Sequence, residues 1–292
     1  MELRKPIALA LAVSSLCITT SPQAAVTQVE GQAGGGIVPW ALLSGGKPTA
    51  SATWVDTGDY TLSSLAVQGT FADRVELSFA QITFDTGRHP GHDGYTGTTL
   101  DPQGEWLLGK IDVNILGAKV KVLDMTDTMP TVAVGIQYKQ SNVTDTFLNA
   151  MGAEDDGLDI YVAATKLMPL GKRKLLLNGT IRATKANQIG ILGFGSKWED
   201  NYSATVEASV GIFLNKQTVF GVEYRMKPDN IDPLKENDWG DIFFAYFPTP
   251  NMAIVAAAAV FGDIAAAEHV STGGNNFGLD QRGLYLQVQA NF

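Results

Sequence analysis

The last ten residues, Gly283 to Phe292, alternate strictly between apolar and polar positions. Leu284, Leu286, Val288, Ala290 and Phe292 fall on one side of an extended chain, and Tyr285, Gln287, Gln289 and Asn291 on the other. A period of two with one fatty and one wet face predicts a strand lying between an apolar and an aqueous phase. The same alternation recurs upstream. Val132, Val134, Ile136 and Tyr138 alternate with Gly135, Gln137 and Lys139, and Phe220, Val222 and Tyr224 alternate with Gly221, Glu223 and Arg225. Turn residues divide the chain into twelve predicted strands, at 49–57, 61–70, 74–84, 104–116, 131–140, 158–168, 174–184, 202–213, 218–226, 239–247, 251–262 and 283–292. Two depart from the pattern. The phase of 74–84 changes near Ala80-Gln81, which predicts a bulge, and 251–262 is apolar on both faces.

The connections carry the stronger signal. From residue 85 onward, long loops (85–103, 141–157, 185–201, 227–238 and 263–282) alternate with shorter links, of which 117–130 is an uneven member. An even strand number, short turns at one end and long loops at the other predict an all-β fold. It is a transmembrane antiparallel outer-membrane β-barrel of about twelve strands with both termini periplasmic. A soluble periplasmic β-sandwich is the structural alternative, but it gives no reason for every second connection to be long. Trp54, Trp106, Trp198 and Trp239 lie beside the long connections, and Phe71, Phe213, Phe247 and Phe292 at the opposite strand ends. That distribution suits aromatic girdles at two membrane interfaces.

The N-terminus and composition sharpen this. Residues 1–25 read as a signal peptide, with Arg4 and Lys5 at the start, an apolar run too short to span a bilayer, and Ser21-Pro-Gln-Ala-Ala25 for cleavage. The single cysteine, Cys17, lies inside that run, so the mature chain has no disulfide framework and no thiolate site. Residues 26–48 form a Gly-rich segment that could enter the lumen as a plug, with Trp40 and Leu42 as anchors, and 49–292 form the barrel. A net charge of −9 and a pI near 4.8 argue against a nucleic-acid partner.

If the apolar faces meet lipid, the opposite faces place Lys110, Asp112, Lys139, Arg182, Glu207, Glu223, Arg225 and Asp241 along the lumen. Their formal charges cancel, which fits either a channel with charged walls or a salt-bridged, filled interior. His89, His92 and Asp93 are the weak candidates for a metal site, in a loop whose Pro90-Gly91 reads as a surface turn; no metal and no cofactor is expected. An outer-membrane hydrolase would need a histidine beside a nucleophile. The three histidines fall in predicted loops and no G-x-S-x-G elbow occurs, so an enzyme is not expected.

The runs Leu175–Gln188, Gly190–Gly195, Glu223–Asn230 and Gln281–Leu286 resemble those of a Gram-negative family of exported proteins known as domain of unknown function 3034. The resemblance covers Gly34 to Phe292. It implies an envelope location and brings no catalytic residues. A fainter likeness of the Gly/Pro-rich start to barrels linked to exopolysaccharide secretion supplies an accessory export role as an alternative. The expected function is passive passage or binding of a small polar solute, or a structural role in the envelope. The expected partners are outer-membrane lipid and lipopolysaccharide and the barrel-insertion machinery, which would read Leu284, Leu286, Val288, Ala290 and Phe292 as an assembly signal.

Overall fold

The computed structural model describes residues 25–58, 60–85, 110–232, 234–267 and 280–292. Its strands are β1 (Val26–Thr27), β2 (Ala33–Gly34), β3 (Thr49–Asp56), β4 (Thr61–Phe71), β5 (Val75–Asp85), β6 (Lys110–Leu123), β7 (Thr131–Ser141) and β8 (Asp156–Leu170). They continue with β9 (Arg173–Thr184), β10 (Ser203–Phe213), β11 (Thr218–Arg225), β12 (Leu234–Glu236), β13 (Trp239–Thr249), β14 (Met252–Gly262), β15 (Ile264–Ala267) and β16 (Gln281–Asn291). Twelve of these close into one barrel in the order β3 to β11, β13, β14, β16, with every neighbour antiparallel. Closure is made by β16 on β3, from Leu284 opposite Asp56 to Asn291 opposite Thr49. A closed barrel leaves no unpaired sheet edge, the condition for strands to cross hydrocarbon.

The predicted alternation is the physical cause of this wall. Outward side chains are large and apolar: Leu65, Ile181 and Leu284 are 60–64 % exposed, a surface that water would not tolerate at this density and lipid does. Leu286, Val288 and Phe292 are exposed with Leu284, while Tyr285, Gln287 and Gln289 are buried inside. Both β3 and β16 meet the short-turn end, the periplasmic end in this architecture. No described helix is long and apolar enough to cross a membrane.

Three expectations are corrected in detail. Strand β6 runs to Leu123 rather than stopping at 116, so the uneven connection shrinks to a turn. No bulge interrupts β5: its pairing with β4 and β6 is continuous from Val75 to Asp85. The phase change at Ala80-Gln81 instead marks a change in what the inner face meets. Glu76 and Ser78 point inward near the short-turn end, and Ala80, Ile82 and Phe84 point inward nearer the loops. Trp239 does not join an interfacial girdle; it faces the interior at 4 % exposure, whereas Trp54 faces outward. Trp106 lies outside the described residues.

The two apolar faces of β14 follow from the same inner wall. Its inward residues Ala253, Ala257 and Ala259 are small and buried. Ala257 sits between Phe243 on β13 and Tyr285 on β16 in register, an alternation of small and large that fills a curved interior.

Candidate functional site

The interior is occupied by the chain's own residues 25–44. This segment is buried almost throughout. It rises from Thr27, level with Gln289 and Gln68, to Gly36, level with Glu223, and returns to Ser44, level with Thr70. It folds on itself through the β1–β2 pair, Val26 opposite Gly34 and Thr27 opposite Ala33.

Carboxylates hold it. Glu76 on β5 accepts the backbone N–H of Ala33 at 2.9 Å and of Ser44 at 2.6 Å, and its charge is met by Lys119 at 3.0 Å. The Lys119 ammonium also donates to the carbonyls of Ala33, Trp40 and Leu42. Glu223 on β11 accepts the N–H of Gly36 at 2.6 Å and of Ile37 at 2.9 Å. A Cβ on Gly35 would stand 1.9 Å from Glu223 Oε1, so a glycine is required where the backbone approaches that carboxylate. The third carboxylate, Glu30, belongs to the segment and sits among Lys139, Arg182 and Arg225 of the wall.

Around Glu30 the polar wall of β7 to β11 forms one balanced cluster. Arg182 donates to Glu207 at 2.5 Å, to Gln137 at 2.6 Å and to Asp159 at 3.0 Å. Asp159 also pairs with Lys139 at 2.6 Å, and Arg225 lies opposite Glu207 in register. All six charged groups are essentially buried. Burial of ions is costly, and only mutual pairing with further hydrogen bonds offsets it.

The opposite wall is apolar toward the loops. Val29 and Ile37 of the segment, Val55, Tyr60, Trp239 and Ile191 are among the residues that line a largely apolar cavity there of about 30 Å³, room for roughly one water. The loops cap this end. The turn Asn187–Gly190 carries Gln188 and Ile189 at positive φ (44° and 60°) and dips into the mouth, where Lys139 and Ser141 donate to the carbonyls of Ile189 and Ile191. Strand β12 pairs with β15 beside it. Within the cap, Lys227 donates to Gln188 Oε1 at 2.5 Å and stands 4.7 Å from the Trp239 ring; Glu236 accepts the N–H of Gln188 at 2.7 Å. Burial pushes the Glu236 carboxyl up to about 7 against the pull of Lys227, and burial draws the Lys227 ammonium down to about 8.

Of the residues expected along the lumen, the structure places Lys139, Arg182, Glu207, Glu223, Arg225 and Asp241 inside and buried. Lys110 and Asp112 are corrected. On β6 it is Ile111, Val113 and Ile115 that face inward, so Lys110 lies outside near Asp85 at 3.5 Å, and Asp112 accepts the Thr83 hydroxyl at 2.6 Å. The inner wall is apolar at that height, and polarity alone therefore assigns the wrong face. Sequence reasoning misses Glu30, Glu76, Lys119 and Asp159. Glu76 and Ser78 alternate with Leu77 and Phe79, a signal masked by the expected bulge, and Lys119 falls in the expected connection. His89, His92 and Asp93 lie outside the described residues. Among those described, no group of three or more His, Cys, Asp or Glu side chains is placed to hold a metal ion.

Residues 23–289 match the family model described as protein of unknown function, DUF3034. No curated protein is detectably similar to the chain. Solved outer-membrane barrels resemble it in fold. LpxR from Salmonella typhimurium aligns with a TM-score of 0.50 at 10 % identity, over 84 % of this chain and 100 % of that one. The COG4313 outer membrane channel from Pseudomonas putida F1 gives 0.48 at 12 % identity, over 87 % and 97 %. The NanC porin gives 0.48 at 9 % identity, over 84 % and 98 %. At such identities the likeness concerns the fold alone.

Proposed function

We propose, from the premise that the chain belongs to this family of unknown function and folds as an outer-membrane barrel, that it is a channel for small polar solutes closed at rest by residues 26–44. Residues 1–25 export it, the insertion machinery assembles it, and its outer face contacts outer-membrane lipid and lipopolysaccharide. It carries out no chemistry on the solute.

One observation supports the reading above others. The segment is held to the polar wall by hydrogen bonds and buried ion pairs, through Glu30, Glu76 and Glu223. Buried pairs roughly break even against desolvation, so their partners can be exchanged for water and solute at modest cost. A segment packed wholly by apolar contacts would resist that exchange. Its withdrawal would expose Thr165, Asn178, Thr180, Arg182 and Glu207 as a polar track along β8 to β10.

Planar-bilayer conductance tests this. The mature chain is expected to be silent or to open briefly, and the chain lacking 26–44 to conduct steadily. If the deletion variant is heat-modifiable on a gel, hence folded, and remains silent, the channel reading fails and a structural role in the envelope takes its place. Equal conductance of both proteins would retain the channel and remove the closing segment.

A further inference from the structure

Beyond the closing segment, the buried charges do not balance. Inside the barrel below the cap, where Lys227 and Glu236 offset one another, the cations among the described residues are Lys119, Lys139, Arg182 and Arg225, and the carboxylates are Glu30, Glu76, Asp159, Glu207, Glu223 and Asp241. Four cations stand against six carboxylates. The pairs described above use all four cations, Lys119 on Glu76 and the other three on Glu30, Asp159 and Glu207. The two carboxylates left over, Glu223 and Asp241, are direct neighbours in the register of β11 and β13.

Their surroundings differ. Glu223 accepts three hydrogen bonds, from Gly36, Ile37 and the Ser209 hydroxyl at 2.6 Å, each of which favours the anion against the cost of its burial. Both oxygens of Asp241 are buried and meet no hydrogen-bond partner, and neither does the Tyr285 hydroxyl. A neutral Asp241 would still carry an O–H with nothing to donate to, and an ionised one would be an uncompensated buried charge. All three side chains converge on Gly36. A methyl group there would lie 3.4 Å from Asp241 Oδ2, 3.5 Å from Glu223 Oε2 and 3.5 Å from Tyr285 Cζ, so the two carboxylates approach one another beside the backbone at this point.

We infer that Glu223, Asp241 and Tyr285 bind one hard divalent cation of the calcium or magnesium class beside Gly36. The donors are all oxygen, which selects hard cations over zinc or copper. A charge of two balances the interior, and water completes the coordination. The ion would tie β11, β13 and β16 to the segment through Gly36 and Ile37, whether or not the barrel conducts.

The test is to refold the mature chain in calcium, or in terbium as a luminescent stand-in, remove free ions by gel filtration, and measure what stays bound. Retained calcium and tyrosine- or tryptophan-sensitised terbium emission are expected for the native sequence, and Asp241→Asn should lose both while its acidic loops are unchanged. Gly36→Ala keeps the backbone donors and turns a methyl group toward all three side chains without close contact. It should weaken retention at least about tenfold, the equivalent of roughly 1.4 kcal/mol. Heat-modifiability confirms that each protein is folded, and if Asp241→Asn does not fold, Gly36→Ala decides. Retention by the native chain no greater than by either folded variant would overturn the site and assign a shared proton to the pair instead.

Discussion

Glu30 Oε2 accepts a hydrogen bond from Arg225 Nη1 at 2.7 Å, joining residues 195 apart in sequence across the interior of the barrel. The same carboxylate meets Lys139, so removing it strands cations that have no access to water. Breaking a buried pair from one side costs about 3–5 kcal/mol. Glu30→Ala is therefore expected to lower the urea midpoint of the refolded barrel and to expose residues 25–44 to protease. An unchanged midpoint together with unchanged protease protection would show that the pair does not secure the segment.

Why is the wall so legible in the sequence and the site less so? Strand limits follow from a local period of two, and that signal survives wherever the outside is lipid. Leu284 to Phe292 need no knowledge of the rest of the chain. Which inward residues meet one another depends on register and on what fills the lumen, and neither is written locally. Lys110 and Asp112 are assigned to the inside only if polarity is equated with the lumen. The apolar segment residues Val29 and Ile37 invert that rule on one side of the barrel. The weight of Glu30 emerges only when its three cationic partners, drawn from β7, β9 and β11, are seen together.

Close approach of ring and backbone gives a second expectation. Tyr161 lies over Gly135 in register, and its hydroxyl donates to Gln32 Oε1 at 2.8 Å. A Cβ at Gly135 would come within 2.2 Å of Tyr161 Cζ. Gly135→Ala should displace the ring and cost about 1–3 kcal/mol as an overpacked core change. Tyr161→Phe, which removes only the hydroxyl, should cost about 0.5–1.5 kcal/mol. Urea unfolding compares the two; equal and negligible effects would mean the ring does not pack as described.

The loop cap should respond to pH through Glu236. Its folded-state value of about 7 lies above the ordinary 4.5 of a free glutamate. The folded cap thus holds a proton that the opened cap releases between those values, and protection must fall as pH rises from about 4.5 to 7. Lys227 faces it, with Arg225, Asp229 and Asp238 nearby, and because Lys227 titrates near 8 it stays largely charged through this window. Hydrogen exchange of residues 185–196 and 226–238 should accelerate about tenfold or more, a factor that corresponds to about 1.4 kcal/mol in the opening equilibrium. Glu236→Gln should flatten that dependence; an equally steep profile in the variant would place the proton elsewhere.

Phe292 separates assembly from stability. Its ring is 62 % exposed and its backbone N–H donates to the Pro48 carbonyl at 2.9 Å, a bond that Phe292→Ala retains. The finished barrel therefore loses little, within about 0.5 kcal/mol as for a surface substitution. Yet the residue directly follows β16, whose outward face, Leu284, Leu286, Val288 and Ala290, is the one expected to be read as the assembly signal. Phe292→Ala, or deletion of Phe292, is expected to reduce the amount of protein in the outer membrane while the purified, refolded variant keeps its urea midpoint and its conductance. Normal membrane levels would remove the assembly role from this end of the chain, and a lowered midpoint in vitro would transfer the effect from assembly to the folded wall.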